Sequence, residues 1–388
     1  MPRDRREVND PKQKGLLPNG LRDTLAPDAA YEADLTAQMM GVFAAHGYDC
    51  VRPPLVEFEE SLLEGPGGAM AGQMFRLMDP ISHRMMGVRP DITPQIARIA
   101  TTRLKGAARP LRLSYAGPVL MVTGSELRPD REVTQVGVEL IGSAALTADA
   151  EVISVTAEAL RAIGVTQPSF DLNMPQLVPL VCEGLEMNAD VAAFARAALN
   201  RKDAGSIAAL TGVDANSVEL LKTLLKTAGF AGKALTELSA LVLPPAAKAL
   251  IEDMETVVRH VQSMVPGMQL TVDPVEFRGA EYQTGISFTI FAEGARSELG
   301  RGGRYPLDGE TATGATLFVD ALRRAVARPL DHTALYLPAD TPVAEGIRLR
   351  TEGWRTVRAL DNSAGSRSDA RTLKCTHIFE NGKARPLD

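Results

Sequence analysis

The chain has 388 residues, 45% of them hydrophobic and 23% charged, and a formal net charge of -6 at neutral pH. That is the make-up of a soluble globular protein, too long for one average domain, so two or three are expected. The acidic balance weighs against a broad nucleic-acid footprint, which needs a basic face.

In chain order, residues 1–15 read as a polar N-terminal arm. The charged start, Met1-Pro2-Arg3-Asp4-Arg5-Arg6, leads into no apolar run, so no signal peptide is expected. No later stretch nears the roughly 18 apolar residues of a membrane span. From Pro27 the spacing of Leu35, Met39, Val42 and Phe43 predicts a helix that stops at His46-Gly47. A short strand over Tyr48–Val51 follows, then a Gly-rich stretch from Leu62 to Gly72 that reads as a mobile loop. Met74–Leu77 and Arg84–Val88 predict two strands joined by a turn at Asp79-Pro80. Thr93 and Pro94 suit an N-cap and a first helical position, and Ile96, Ile99, Ala100 and Leu104 continue a helical stripe. Leu111–Val122 predicts a buried strand. Arg131–Gly142 alternates, with Val136, Val138 and Leu140 on one face and Gln135, Gly137 and Glu139 on the other. A helix over Thr147–Ile163, stopped by Gly164, and a strand over Phe170–Met174 close the first part of a core, 16–175.

Residues 176–265 change character. They are rich in Ala and Leu at helical spacing and read as an all-helical insertion of six helices, the last over Ala246–Val265. Strands resume in 266–328, the second part of the core, at Leu270–Val272, Phe277–Gly285 and Ile286–Phe291. Glu298–Tyr305 reads as a Gly-rich corner and not as a phosphate loop, because neither GK[ST] nor GxGxxG is present. Gly314–Val319 predicts a strand and Ala321–Ala327 a helix. Residues 329–388 form a short α/β segment with strands over Ala334–Leu337, Thr356–Ala359 and Thr376–Phe379. The three cysteines, Cys50, Cys182 and Cys375, form no CxxC pair and read as reduced thiols of a cytoplasmic protein, not as a disulfide framework or zinc site.

The residues with chemistry lie at two places. Gln135 and Glu139 are four apart on one strand face, roughly 13 Å at about 3.3 Å per residue, with Gly137 between them. A strand glycine marks close approach of another group, so this face could floor a site for a small zwitterion. The plain alternative is a half-exposed strand with solvated polar groups. Asp91 and Thr93 sit at a helix start beside a strand end, where a carboxylate can enter a cleft; alternatively they only cap the helix.

The order of these pieces resembles the class II fold of histidyl-tRNA synthetase over residues 16–327. The most specific are Gln135-Val136-Gly137-Val138-Glu139, Arg278-Gly279-Ala280-Glu281-Tyr282 and the corner Gly302-Gly303-Arg304-Tyr305. Arg89-Pro90-Asp91-Ile92-Thr93-Pro94-Gln95, where the synthetases carry Glu-Gly-Thr, and Asn200-Arg201-Lys202-Asp203 look like the regulatory subunit of ATP phosphoribosyltransferase, a synthetase-like protein of histidine biosynthesis without synthetase chemistry. The fold implied is α+β, an antiparallel sheet flanked by helices, with the helical insertion and the C-terminal appendage.

The resemblance implies a histidine pocket. Asp91 and Thr93 match residues that hold the ammonium, Gln135 and Glu139 the strand that reads ammonium and imidazole, and Arg278 the carboxylate fork; Tyr282 and Tyr305 would wall the ring. Gln283 stands where the synthetases usually have a second Tyr. Against a synthetase activity, the FRxE of the second motif is Leu120-Met121-Val122-Thr123, and at the third motif, Thr316, Asp320, Leu322 and Arg323, only the Arg remains. Met121 offers no bidentate clamp for a phosphoryl group. No catalytic residue, metal ligand or cofactor is therefore expected. The resemblance implies a homodimeric core joined to short-form ATP phosphoribosyltransferase catalytic subunits in a hetero-octamer, with histidine as effector and no tRNA or membrane partner. The rivals are an active histidyl-tRNA synthetase and an amino-acid-binding paralogue with another partner.

Overall fold

A computed structural model describes residues 15–124, 128–277, 284–326, 333–360 and 367–387. The chain divides into two compact units, 1–327 and 328–388. The strands of the first unit are β1 (Asp49–Cys50), β2 (Val56–Phe58), β3 (Phe75–Met78), β4 (Met85–Val88), β5 (Leu111–Leu120), β6 (Glu132–Ile141), β7 (Pro168–Asn173), β8 (Gly229–Phe230), β9 (Gln269–Asp273), β10 (Ser287–Ala292), β11 (Gly300–Leu307) and β12 (Glu310–Phe318). Nine of them form one sheet in the order β1-β5-β6-β12-β11-β10-β7-β9-β8. Its middle is antiparallel, while β1 joins β5 and β9 joins β7 in parallel, so the sheet is mixed. The remaining three strands make a small antiparallel sheet, β2-β4-β3.

Helices α1 (Asp28–Ala45), α2 (Glu59–Leu63), α3 (Thr93–Thr101) and α4 (Leu146–Ala162) come from the first part of the chain. In α4 the small and branched residues Ala148, Val152, Val155 and Ala159 recur at helical spacing and are buried. The helix ends in a Schellman turn: Gly164 has φ +96°, and the Val165 N–H returns to the Leu160 carbonyl at 2.9 Å. The stretch 62–72 is not an irregular loop. It carries the end of α2 and a 3-10 run over Gly65–Gln73.

Helices α5 (Leu177–Gly184), α6 (Ala189–Asn200), α7 (Ala204–Ala208), α8 (Ala215–Lys226), α9 (Ala231–Ser239) and α10 (Pro245–Met264) follow β7, and α11 (Val319–Ala325) follows β12. Asn188, Asp203 and Asp214 cap α6, α7 and α8, each accepting a backbone N–H two or three residues on. The two-residue β8 between α8 and α9 pairs with β9 and lends an edge strand to the main sheet.

The sheet is buried on both faces. Val136, Val138 and Leu140 of β6 enter a continuous core with α1, α4, α10 and α11, into which the insertion helices also send Leu199, Leu221 and Leu238. The opposite face packs Tyr115, Ile141 and Tyr305 under Ile92, just before α3, and Ile96 of α3. Glu298–Tyr305 is correspondingly no corner: β11 runs through it, paired with β10 and β12. Its glycines leave room. A Cβ on Gly302 would stand 2.3 Å from the Gly314 carbonyl oxygen and 2.4 Å from the Phe288 ring.

The second unit is a four-stranded sheet, β14-β13-β15-β16, built from β13 (Ala334–Leu337), β14 (Arg355–Arg358), β15 (His377–Glu380) and β16 (Lys383–Pro386) with helices α12 (Val343–Thr351) and α13 (Arg367–Thr372). The antiparallel β16 was not legible in Lys383–Pro386, whose proline and charges suit only an edge strand.

Candidate functional site

The segment Arg89–Gln95 is bolted to the sheet before it presents any group to solvent. Arg89 is 4% exposed and donates to the carbonyls of Pro118 (2.8 Å) and Pro53 (3.1 Å) and to Gln95 Oε1 (3.2 Å). Gln95 in turn donates to the Pro54 carbonyl at 2.7 Å. Burial depresses the Arg89 pKa, and these oxygens satisfy its fork. The Ile92 N–H donates to Gln135 Oε1 at 3.1 Å. Helix α3 starts at Thr93, not after it, and the Thr93 side chain does not cap it. Asp91 Oδ1 accepts the Thr93 N–H at 3.3 Å, which frees the Thr93 hydroxyl to donate to Glu139 Oε1 at 3.1 Å.

These bonds set one wall of a cleft on the α3 face of the main sheet. Asp91, Thr93, Glu139 and Tyr305 all line it. Gln135 does not line it; its oxygen is spent on Ile92. Nor does a ligand approach Gly137. A Cβ there would lie 2.5 Å from the Tyr115 hydroxyl oxygen, because Tyr115 of β5 is the register partner of Gly137 and its phenol fills the space. The Tyr115 hydroxyl, fully buried, bonds to Thr316 Oγ1 at 2.7 Å and reaches Thr93 Oγ1 at 3.4 Å. The polar strand face is therefore a bonded layer with one opening, at Glu139. Arg278 and Tyr282 lie outside the described residues.

Glu139 is the centre of the cleft. Its Oε2 accepts from the Tyr305 hydroxyl at 2.8 Å, and it is 1% exposed. Loss of solvent pushes its pKa up to about 8, although the Tyr305 and Thr93 donors pull the other way; the nearby Asp91 adds to the rise. The register puts Gly314 of β12 opposite it. A Cβ on Gly314 would lie 1.9 Å from Glu139 Oε2, so the carboxyl occupies the space that only a glycine leaves.

The far wall comes from Asn173 of β7 and Thr289 of β10, which no local motif marks, with Thr316 of β12, Glu298 and Arg301. Glu298 is paired with Arg128 at 2.7 Å, and the Arg128 guanidinium stacks on Phe318 at 3.8 Å. Thr316 could have been found from alternation once β12 was known to lie beside β6. Asn173 required the order of the whole sheet. The cleft thus offers buried carboxyls, hydroxyls and one lining guanidinium, a donor–acceptor set that fits a small zwitterion with a cationic end towards Asp91 and Glu139. Among the described residues, no cluster of His, Cys, Asp or Glu could hold a metal ion.

Met121, Thr123, Asp320 and Arg323, the positions set beside a phosphate clamp by resemblance, are engaged within the fold. Met121 packs against the apolar layer under α3. The Thr123 hydroxyl donates to Gln73 Oε1 at 3.2 Å. Arg323 is engaged by Asp28 at 2.7 Å and Glu32 at 2.8 Å, and the buried Asp320 by Arg324 at 2.6 Å.

A family model described as histidyl-tRNA synthetase matches residues 20–322. The ATP phosphoribosyltransferase regulatory subunit of Rhodospirillum centenum is 49% identical over 374 residues, covering 96% of each chain, and that of Paramagnetospirillum magneticum is 51% identical over 371 residues, covering 95% of this chain and 97% of the relative. The chain belongs to the ATP phosphoribosyltransferase regulatory subunit family. Two solved structures share its fold. One from Bacillus halodurans, described as an ATP phosphoribosyltransferase regulatory subunit/histidyl-tRNA synthetase, superposes with a TM-score of 0.82 at 24% identity, over 94% of this chain and 97% of that one. A histidyl-tRNA synthetase from Nostoc gives 0.78 at 16% identity, over 94% and 90%. Among the described residues no helix is long and apolar enough to cross a membrane.

Proposed function

We propose that this chain is the non-catalytic regulatory subunit that works with a short-form ATP phosphoribosyltransferase catalytic subunit, and that histidine in the Glu139 cleft transmits feedback inhibition to the first step of histidine biosynthesis. The names of relatives at 49% and 51% identity support the regulatory role. The observation that carries the reading is the contrast within one fold. Asp91, Thr93, Glu139 and Tyr305 line the cleft together, while the positions that the resemblance matches to a phosphate clamp carry Met121, Thr123 and an Arg323 engaged by Asp28 and Glu32. Phosphoryl chemistry depends on positioned positive charge, so a cleft built this way suits sensing an amino acid and not activating it. In this reading a homodimer of the chain assembles with catalytic subunits into a hetero-octamer in the cytoplasm, and tRNA is not a substrate.

Two measurements test it. Purified protein is expected to give no histidine-dependent ATP–pyrophosphate exchange; sustained exchange would establish a synthetase instead. Mixed with a short catalytic subunit, the chain should raise phosphoribosyl transfer, and inhibition by histidine should then require both chains. Activity and histidine response that ignore added chain overturn the role.

Arg278 is proposed as the carboxylate fork, from the resemblance. Charge-assisted hydrogen bonds are worth about 1.5–3 kcal/mol, which is roughly ten- to hundredfold in affinity. Arg278→Met should weaken histidine binding by that factor in calorimetric titration and leave uninhibited activity of the complex near normal. Unchanged affinity would remove Arg278 from the pocket.

A further inference from the structure

The motif Asn200-Arg201-Lys202-Asp203 lies in the helical insertion, yet two of its side chains, Asn200 and Lys202, reach the end of β9 and the segment that follows it. Lys202 Nζ binds both carboxylate oxygens of Asp273, at 2.6 and 2.5 Å. Asn200 Oδ1 accepts the Phe277 N–H at 2.8 Å, and the Arg196 guanidinium sits 5.7 Å from the centre of the Phe277 ring. Asp273 also accepts the N–H groups of Val275 and Glu276, both at 3.1 Å, so its carboxylate organises the turn that leaves β9. The Asp273 carbonyl oxygen accepts from Asn173 Nδ2 at 3.5 Å, and Glu276 Oε2 lies 3.4 Å from the same nitrogen. Asn173 is the register partner of Asp273 and lines the Glu139 cleft. Lys202 holds its place at a conformational cost. Its φ of +56° is left-handed because it is the C′ residue of the Schellman turn that ends α6, where the Asp203 N–H returns to the Ala198 carbonyl at 2.9 Å, and a non-glycine residue there carries a modest cost.

We infer that Asn200 and Lys202 are positioning residues for the effector cleft: they latch segment 273–277 to the insertion, set Asn173 in the far wall, and couple the seating of the insertion to ligand binding. Phe277, gripped by the latch, directly precedes Arg278 in the chain. Coupling of this kind is reciprocal, so ligand in the cleft also tightens the insertion onto the sheet. The inference rests on the reading of the cleft as a histidine site.

The test is calorimetric titration of the full chain with histidine, with the melting temperature of each variant recorded alongside. Lys202→Met and Asn200→Ala are expected to weaken binding about tenfold while melting within about 3 °C of the parent, because Lys202 is 40% exposed and Asp273 keeps its two backbone donors. Lys202→Arg, which keeps the cation, should recover most of the affinity, a rescue that a merely structural contact would not produce. Should Lys202→Met fail to fold, Lys202→Gly removes the cation and relieves the left-handed strain together, and it is expected to bind weakly while remaining folded. Parent and latch variants binding alike, or a loss that tracks melting temperature without rescue by Arg, overturns the latch and leaves the cleft reading standing. A parent that does not bind histidine overturns the cleft reading and this inference with it.

Discussion

Arg304→Met is expected to cost about 3–5 kcal/mol of stability, the loss seen when one partner of a buried ion pair is removed. Arg304 alternates with Tyr305 on β11. As Tyr305 faces the cleft, Arg304 reaches through the other face to the start of α4. Its Nε lies 3.1 Å from each oxygen of Asp149, and its terminal nitrogens donate to the carbonyls of Ala144 (3.1 Å) and Ala145 (2.8 Å). The Asp149 side chain is 2% exposed. Its burial raises the carboxyl pKa against the pull of Arg304, so without the guanidinium it is an uncompensated buried acid or a protonated one. The start of α4 also loses the group that gathers its preceding carbonyls. Chemical denaturation of the two proteins at neutral pH measures the difference. A loss below about 1 kcal/mol, the range of an exposed pair, would show that solvent reaches Asp149. Arg304→Met with Asp149→Asn should recover part of the loss, because the charge is then gone from both sides.

The second large effect is on pH dependence. Glu139 titrates near pH 8 in the fold against an ordinary value of 4.5. Between those values the folded chain holds a proton that the unfolded chain has released. The contribution of Glu139 to stability is therefore complete below about pH 4.5 and lost as pH rises through about 8. Glu139→Gln removes this titration. Relative to the variant, the parent should lose on the order of a few kcal/mol between pH 5 and pH 9, so the variant melts higher at pH 9 and close to the parent at pH 5. Subtracting the two profiles cancels every other titrating group. Parallel profiles would mean that Glu139 is solvated and titrates as an ordinary carboxyl. The same proton bears on the ligand. If a cationic group of histidine sits against Glu139, binding at pH 7.5 should release most of one proton, read from the binding enthalpy in buffers of different ionisation heat. Zero release would place the cation elsewhere.

Helices α4 and α10 were legible because they are long and strongly periodic, and α4 also stops at a recognisable residue, Gly164. Strand β6 was legible from alternation. The Gly-rich stretches were misread for a shared reason. In 62–72 and 298–305 the glycines suggest a loop or corner, whereas at Gly302 glycine marks neighbouring groups packed too close for a Cβ. A glycine chosen for close approach looks the same in a sequence as one chosen for a turn. The site was legible only in part. Glu139, Thr93, Asp91 and Tyr305 meet in the cleft, Gln135 turns to the Ile92 N–H, and Asn173 and Thr289 of the far wall carried no local sign.

By itself the sequence determined which residues share a face, where the chain turns helical, and that Met121 and Thr123 stand where a phosphate clamp would need Arg and Glu. Periods of 2 and 3.6 residues are local consequences of backbone geometry, and the chemistry a side chain lacks is absent in any fold. Which strand lies beside which, and in what register, was decided by the tertiary structure alone. That register sets the Tyr115 phenol under Gly137, opens Gly314 for the Glu139 carboxyl, and brings Asp273 within reach of Lys202 from the insertion. The shift of Glu139 towards pH 8 has the same origin: it comes from the loss of water around the carboxyl, and burial is a property of everything packed about a residue, not of the residue or its neighbours in the chain.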